Sequence, residues 1–172
     1  MELKALEISC GPFDVLVNSQ QFVSSVALSA EAVESGSRYL DRVAQWKGAQ
    51  ILVFDLAGYL GSILPLSASE DTLTALLSDT SCFSEAHRDA YRSLAGRVGR
   101  VSADHLALSV RATLRLDAVP LAELKQVPPA IRGGCRKQGL LAFRFVQDRI
   151  QYLMDIETVL FTAMAAQKRS RQ

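Results

Sequence analysis

Two aspartates stand in matching contexts, and they come nearest to a catalytic pair in this sequence. Asp55 follows the apolar run Ile-Leu-Val-Phe, and Asp155 follows Gln-Tyr-Leu-Met. Two carboxylates that a fold brings together can act as general acid and general base. The repeated context instead favours a structural role, in which each Asp ends a buried strand and accepts a backbone N–H of the helical turn that follows. Two such copies, each closing one half of the chain, predict two related β-subdomains.

The other potentially reactive side chains belong to no recognisable catalytic or metal motif. His87 and His105 lie outside any nucleophile motif such as GxSxG. Cys10, Cys82 and Cys135 are far apart and odd in number, without a CxxC pair or an evident disulfide framework. This cysteine pattern favours a reducing cytoplasm. We therefore predict a protein that is not an enzyme and that needs no metal or other cofactor.

The charge of the chain argues against a nucleic-acid or membrane partner. Its 172 residues carry a net charge of +1, with 49% hydrophobic and 22% charged residues, which is an ordinary globular composition. The basic stretch from Arg132 to Gly139 lacks the glycine spacing that cradles phosphate, so it is predicted to be a connecting loop. Arg111 and Arg115 are expected on a solvated strand face. Without a signal peptide or a run of membrane-spanning length, the chain is expected to be cytoplasmic, with no direct membrane insertion.

Most of the elements that must position these residues are predicted strands. Alternation of apolar and polar residues is clearest from His105 to Leu116, which predicts a long strand with one buried and one solvated face. A hairpin is predicted where Leu141, Phe143 and Phe145 alternate with other residues ahead of the strand 150–154. The remaining predictions are strands over 3–9, 13–17, 22–28 and 51–54, a loop or weak helix over 29–36, and a short helical or turn-like segment over 121–127.

Helical patterns occur in the middle of the chain and at its end. Residues 67–70 resemble a capping box, and leucines follow at helical spacing over 73–77. A second helix is predicted over 85–94. Together these predict a partly helical insertion at about 67–95, which packs outside the β-subdomains and can be removed without unfolding them. A C-terminal helix is predicted after Asp155, because the apolar residues there share one helical face.

The only tryptophan, Trp46, stands before Lys47 and Gly48 at the entrance to the first Asp-ended strand. Residue statistics favour a core tryptophan beside a turn. The alternative is an aromatic side chain at the rim of a protein contact, because interfaces are enriched in tryptophan. Either way, a turn just before a buried strand is normally exposed, so Lys47 is expected at the surface.

The order and spacing of these segments resemble the CheW-like adaptor domain, the coupling protein of bacterial chemosensory arrays. The run from Tyr39 to Leu56 is similar to the family's Gly-Val-x-Asn-x-Arg-Gly and Val-x-Asp-Leu segments, and Leu106 to Leu116 to its Gly-Leu-x-Val-Asp-x-Val strand. Leu153 to Leu160 resembles the closing Leu-Leu-Asp-Leu-Glu-x-Leu. The likeness covers most of the chain apart from the predicted helical insertion.

This resemblance implies a mostly β fold of two packed SH3-like five-stranded antiparallel β-barrels, within a single CheW-like domain over residues 1–172. It also implies a non-enzymatic adaptor that couples the cytoplasmic tips of chemoreceptors to the regulatory domain of a CheA-type histidine kinase. Such a protein is cytoplasmic and is recruited to membrane-associated receptor arrays. The protein-binding residues that the resemblance implies are Trp46, Lys47, Gly48, Ser25 and Val26.

Three of these residues depart from the family pattern. Lys47 stands where the family carries the Arg of its Arg-Gly turn, and a lysine lacks the bidentate fork of arginine. Ser25 and Val26 stand where the family often has Glu-Ile. These departures favour a divergent adaptor, for instance in surface motility or pilus function rather than in flagellar chemotaxis.

A different class of function stays open, namely a small OB-like β-barrel that binds a ligand or single-stranded nucleic acid. Such barrels combine a basic groove with exposed aromatic side chains. Phe143 and Phe145 are expected on a buried face, which counts against this alternative.

Overall fold

The structure, a computed structural model, describes residues 1–10, 13–37, 39–60, 73–110 and 114–168. Its strands are β1 (Glu2–Cys10), β2 (Phe13–Asn18), β3 (Ser24–Leu28), β4 (Ala30–Ala32), β5 (Arg42–Trp46), β6 (Ala49–Asp55), β7 (Leu73–Asp79), β8 (Val101–Val110), β9 (Leu114–Pro120), β10 (Lys125–Gln126), β11 (Leu140–Val146) and β12 (Arg149–Met154). Its α-helices are α1 (Leu56–Tyr59), α2 (Glu85–Val98), α3 (Pro129–Lys137) and α4 (Ile156–Lys168). Single 3₁₀ turns lie at Ser19–Gln21, Thr80–Cys82 and Leu121–Glu123. No helix in this described part of the chain is long and apolar enough to cross a membrane.

The described strands form two six-stranded sheets of the same topology. Sheet A has the order β10-β11-β12-β2-β1-β9, and sheet B has the order β4-β5-β6-β8-β7-β3. In sheet A the central pair β12 and β2 is parallel, as is the central pair β6 and β8 in sheet B. All other neighbouring strands run antiparallel. The mostly β fold of two packed units is therefore confirmed, with six strands in each described sheet and one parallel pair where five antiparallel strands were expected.

Each sheet is built from two separate stretches of chain. Strands β1 and β2 join β9–β12, whereas β7 and β8 join β3–β6. Every strand of the first half therefore has an equivalent six strands later. The two halves are two copies of one arrangement that exchange their first two strands, which places the Asp-ended strands β6 and β12 in equivalent positions.

Three apolar clusters fill the described molecule. The largest combines residues of both sheets with residues of α2 and α4, such as Ile8, Phe54, Tyr91 and Val159. A second cluster lies within sheet B, and a third, smaller one lies within sheet A. Strand β6 contributes to the first two clusters from alternate residues, so both of its faces are buried. This explains why its sequence is an unbroken apolar run.

The prediction of a helix over residues 73–77 is wrong. This stretch is part of β7, which lies between β3 and β8 and buries Ala75, Leu76 and Leu77. Leu76 packs into the largest cluster, whereas Ala75 and Leu77 pack into the sheet B cluster. A strand with both faces buried shows no alternation, so its leucines imitate helical spacing. The predicted capping box at 67–70 lies outside the described residues.

The second predicted helix of that segment is confirmed as α2, but its packing differs from the expectation. Tyr91, Leu94 and Ala95 are buried in the largest cluster rather than placed on the outside of the β-units. Together with β7, α2 thus makes the described part of the segment an integral part of the core.

Three further predictions need correction. The basic stretch from Arg132 onwards is not a loop, because it lies in α3, where Pro129 at the first helical position presets the backbone angle φ. The loop or weak helix over 29–36 contains the short strand β4. The predicted strand from His105 to Leu116 is two strands, β8 and β9, with 111–113 outside the described residues.

The prediction of a solvated face for that strand is also wrong over β8, which is its first part. Every residue from Leu106 to Val110 is buried, including Ser109, because β8 lies in the centre of sheet B with apolar clusters on both sides. Leu116 of β9, which was expected to be buried, is 67% exposed. Arg111 cannot be placed, since it lies outside the described residues.

Candidate functional site

The β5–β6 hairpin carries three of the five predicted protein-binding residues. Trp46 pairs with Ala49 across a two-residue turn of Lys47 and Gly48, both of which have positive φ values of 47° and 83°. Two central residues with positive φ match the type I′ turn that suits the twist of a hairpin. Lys47 and Gly48 are exposed, as expected of a turn at this place. Gly48 has open space around its backbone, so the requirement for glycine is conformational rather than steric.

The structure also brings Val26 to the same small core as Trp46. Both side chains are half-buried and pack against the cluster inside sheet B. Ser25, the neighbour of Val26 on the edge strand β3, is exposed. The Lys47 Nζ atom lies 5.1 Å from the centre of the Trp46 ring, within cation–π distance. Trp46 thus contributes to the core with one part of its ring and borders the exposed turn with another.

The equivalent hairpin of sheet A has a different surface. Phe145 and Ile150, paired across β11 and β12, are 56% and 38% exposed, whereas sheet B has the pair Gln45 and Gln50 at that place. The expectation that Phe145 is buried is wrong. Met154, further along β12, belongs to the largest cluster, but the exposed hairpin end lies beyond the part of the face that this cluster covers.

Two further contacts shape this exposed end. The rings of Phe143 and Phe145 meet edge to face with centroids 5.6 Å apart, and Lys125 Nζ lies 5.1 Å from the Phe145 centroid. An exposed aromatic beside a cation is a feature of single-strand binders. The argument from buried aromatics against the OB-like alternative therefore fails, although two six-stranded sheets are not the single five-stranded barrel of that fold.

A buried arginine inside sheet A was not predicted. Arg144 donates to Asp117 at 2.6 Å, to Glu123 at 3.3 Å and to Gln151 at 2.7 Å. The Arg144 guanidinium holds the pKa of the Asp117 carboxyl below its usual value. At the equivalent pair of positions sheet B has Ala44 opposite Ile51, both in its apolar cluster. Alternation on β11 shows that Arg144 and Phe145 face opposite sides, but not which side is buried.

The two repeated aspartates cap helices, as predicted. Asp55 Oδ1 accepts the Gly58 N–H at 3.0 Å at the start of α1, and Asp155 Oδ1 accepts the Glu157 N–H at 3.2 Å at the start of α4. Asp155 also accepts from the Thr158 hydroxyl. These hydrogen bonds satisfy backbone donors that the first turn of a helix leaves without partners.

His87 makes a structural contact between helices that was not predicted. Its Nδ1 lies 2.5 Å from Glu157 Oε1, which also accepts the Ser84 N–H at 2.8 Å. The His87 ring packs against Phe161 with centroids 4.2 Å apart. These contacts join the first turn of α2 to α4. No group of three or more His, Cys, Asp or Glu side chains suited to a metal ion occurs among the described residues.

A cleft of about 490 Å³ lies where the two sheets meet. Tyr39 and Tyr59 line it from the side of sheet B, and Tyr152 lines it from sheet A. Tyr59 and Tyr39 meet edge to face at 5.4 Å, and the Tyr59 hydroxyl donates to Gln138 Oε1 at 2.9 Å. Burial raises the pKa of Tyr59 above its usual value. No sequence pattern predicts this cleft, because its lining residues come from distant segments.

The solved structures supply the decisive comparison. The chain is similar in structure to the scaffolding protein CheW of Thermoanaerobacter tengcongensis, with a TM-score of 0.60 over 90% of each chain, at 12% sequence identity. Its fold is CheW-like. No protein-family model matches the chain, and no curated protein matches it in sequence. The CheW-like fold that the sequence resemblance implied is thus supported by structure, while the identity of 12% shows the fold alone.

Proposed function

We propose that the chain is a single CheW-like domain over residues 1–172 that acts as a non-enzymatic adaptor in bacterial chemosensory signalling. In this role it couples the cytoplasmic tips of chemoreceptors to the regulatory domain of a CheA-type histidine kinase. The observation that carries the proposal is the likeness of fold to a CheW scaffolding protein over 90% of both chains. The net charge of +1 and the sequence resemblance support a protein partner in the cytoplasm, at membrane-associated receptor arrays.

The surface proposed for the kinase contact lies on sheet B. It consists of the hairpin residues Trp46, Lys47 and Gly48 with Ser25 and Val26 of β3. Its support is that Trp46 and Val26 pack on one cluster and that β3 contacts β5, so the hairpin and the edge strand lie close together. A half-buried aromatic beside a cation fits the type of residue that carries protein contacts.

Calorimetry tests the proposal directly. The full chain is titrated with the purified regulatory domain of a CheA-type kinase from a bacterium that encodes this chain, and separately with a soluble fragment of a chemoreceptor tip. We expect saturable binding of both, with a one-to-one ratio for the kinase domain. Absence of binding to either partner at concentrations of about 100 μM, equivalent to a free energy weaker than about −5.5 kcal/mol, contradicts the proposal.

The same protein is then tested against a single-stranded oligonucleotide by fluorescence anisotropy at two salt concentrations. The exposed Phe145 beside Lys125 is the one feature that favours this alternative. Phosphate contacts make such binding fall steeply as salt rises. Salt-dependent binding that Phe145→Ala abolishes, together with no kinase-domain binding, supports the OB-like function instead of the adaptor.

A further inference from the structure

The cleft between the sheets has the size of a small-molecule site. Its volume of about 490 Å³ falls within the range of roughly 300–1,000 Å³ that is usual for such sites. Three of the four tyrosines of the chain line it, namely Tyr39, Tyr59 and Tyr152. Leu140, Val15 and Met154 add aliphatic surface from sheet A and its hairpin. The cleft is therefore mainly aromatic and apolar.

The polar groups of the cleft are neutral. Among the described residues that line it, none carries a formal charge at neutral pH. The Tyr59 hydroxyl donates to the carboxamide oxygen of Gln138, and the Thr162 hydroxyl donates to the Lys137 carbonyl at 2.7 Å. A tyrosine phenol is protonated at neutral pH, and burial raises the pKa of Tyr59 further above its usual value. A charged ligand would lose its hydration without gaining a counter-ion among these groups.

We propose that this cleft binds a small, uncharged aromatic compound with one or two hydrogen-bonding groups. Flat rings pack edge to face or offset against tyrosine rings, and the arrangement of Tyr39 and Tyr59 already offers one edge and one face. Gln138 and Thr162 also line the cleft, and Thr162 donates to the carbonyl of Lys137, the neighbour of Gln138, so these two polar side chains can orient the polar group of the ligand. This site is separate from the proposed kinase-binding hairpin and does not depend on the adaptor function.

Binding at this place also links the two sheets. The ligand contacts residues of both, so it stabilises the folded state relative to a chain in which the sheets have separated. A ligand that binds only the folded state raises the midpoint of thermal unfolding as its concentration rises. Thermal stability is therefore a second readout of occupancy.

A matched pair of fluorescent compounds tests the proposal. N-phenyl-1-naphthylamine is neutral, and 8-anilino-1-naphthalenesulfonate has the same skeleton with one sulfonate. The full chain is titrated with each, and amide shifts of the wild-type protein are recorded by NMR with the neutral compound. We expect one-to-one binding of the neutral compound, at least tenfold weaker binding of the sulfonate, a raised unfolding midpoint, and shifts that include Tyr39 and Tyr152.

Two tryptophan variants locate the site. Thr162→Trp places a large side chain at a position that lines the cleft and is expected to weaken binding of the neutral compound at least tenfold. Thr74→Trp, at an exposed position of β7 away from the cleft, is the control and should bind normally. Circular dichroism confirms that both variants fold, and the wild-type NMR shifts locate the site even if Thr162→Trp does not fold.

Several results overturn the proposal. They are equal binding of the two compounds, no binding of the neutral one, unchanged binding by a folded Thr162→Trp, or NMR shifts confined to another surface such as the exposed Phe145.

Discussion

Asp55 and Asp155, 100 residues apart in the chain, occupy the same position in two sheets of the same topology. The Asp55 N–H donates to the Tyr39 carbonyl at 2.9 Å, and the Asp155 N–H donates to the Gly139 carbonyl at 2.8 Å. The carboxylate of each residue then caps the helix that follows. The backbone N–H and the carboxylate thus have equivalent roles in both Asp residues. The repeated motif therefore marks a repeated junction between strand and helix.

The caps predict a small and separable loss of stability. Asp155→Ala should lower the free energy of unfolding by about 1–2 kcal/mol, and Asp55→Ala by about 1 kcal/mol, because α1 is a single turn with less helix to lose. Urea denaturation measures both. Asp→Asn at each site is the control, since an amide oxygen can still accept the backbone N–H. Equal losses for Asn and Ala at Asp155 would show that its charge, rather than the cap, matters.

The integral position of α2 gives a second prediction. Tyr91 is fully buried and donates its hydroxyl to the His105 carbonyl at 2.9 Å. Tyr91→Ala should therefore lower the free energy of unfolding by on the order of 4 kcal/mol, because it leaves a cavity and an unpaired carbonyl. The control, Arg92→Ala, changes an exposed neighbour and should cost less than about 0.5 kcal/mol. Thermal unfolding followed by circular dichroism measures both. A small loss of stability for Tyr91→Ala would instead indicate that α2 packs on the outside of the molecule.

Local rules were enough to predict part of this structure. The caps at Asp55 and Asp155, the exposed turn at Lys47 and the C-terminal helix all depend on residues close in sequence. The paired hairpin that ends at β12 follows equally from alternation over a short stretch. These features require no knowledge of which elements meet.

The errors share one physical cause, which is that burial depends on distant partners. Leu76 and Leu77 of β7 are buried on opposite faces because the largest cluster and the sheet B cluster cover opposite sides. Phe145 has the same alternation as a core residue, yet nothing in the described molecule covers most of its ring. Arg144 is buried because Asp117 and Glu123, from other elements, compensate its charge. The tyrosine-lined cleft likewise exists only once the sheets are packed.

The Arg144 ion pair should show measurable coupling. In a double-mutant cycle, Arg144→Met and Asp117→Asn should have an interaction free energy of about 1–2 kcal/mol, because Arg144 is 6% exposed and Asp117 is 32% exposed. The matched control is the pair Arg92 and Asp89 on α2, whose side chains are 63% and 61% exposed. Its coupling should stay below about 0.5 kcal/mol. Equal coupling in the two cycles would contradict the effect of burial.

The contact between α2 and α4 predicts a dependence on pH. Burial alone would raise the pKa of Glu157, but hydrogen bonds from Ser84 and His87 outweigh this and hold it below its usual value of 4.5. The stabilisation from the ionised carboxylate is therefore fully present above about pH 4.5 and is lost as the pH falls through the lowered value. Glu157→Gln should be less stable than wild type by about 1 kcal/mol at pH 7.

Urea denaturation across pH 2–7 measures this difference, which should shrink towards zero at the acid end. Glu85→Gln, at an exposed position in the first turn of α2, is the control and should show little of this trend. A difference between Glu157→Gln and wild type that stays constant across the range would mean that the carboxylate charge does not supply the stabilisation.

The last prediction concerns the proposed kinase-binding hairpin, where substitutions of Trp46 and Lys47 should have different effects on stability and binding. Trp46 packs partly on the sheet B cluster, so Trp46→Ala should lower stability by about 2 kcal/mol and also weaken kinase-domain binding. Lys47 is exposed, so Lys47→Glu should leave stability unchanged within about 0.5 kcal/mol. Reversal of its charge at a wet rim should weaken binding by about 1 kcal/mol, or roughly fivefold.

The equivalent hairpin supplies a matched control. Gln147 also has a positive φ, of 54°, at the same place in the turn of sheet A, so Gln147→Glu introduces the same new side chain at a similar φ, with a change of one charge where Lys47→Glu changes two. Calorimetry against the kinase regulatory domain and thermal unfolding are measured for all three variants. If Gln147→Glu weakens binding as much as Lys47→Glu does, the effect is a general one of charge. If Lys47→Glu binds normally while Trp46→Ala only unfolds, the kinase contact lies on another surface.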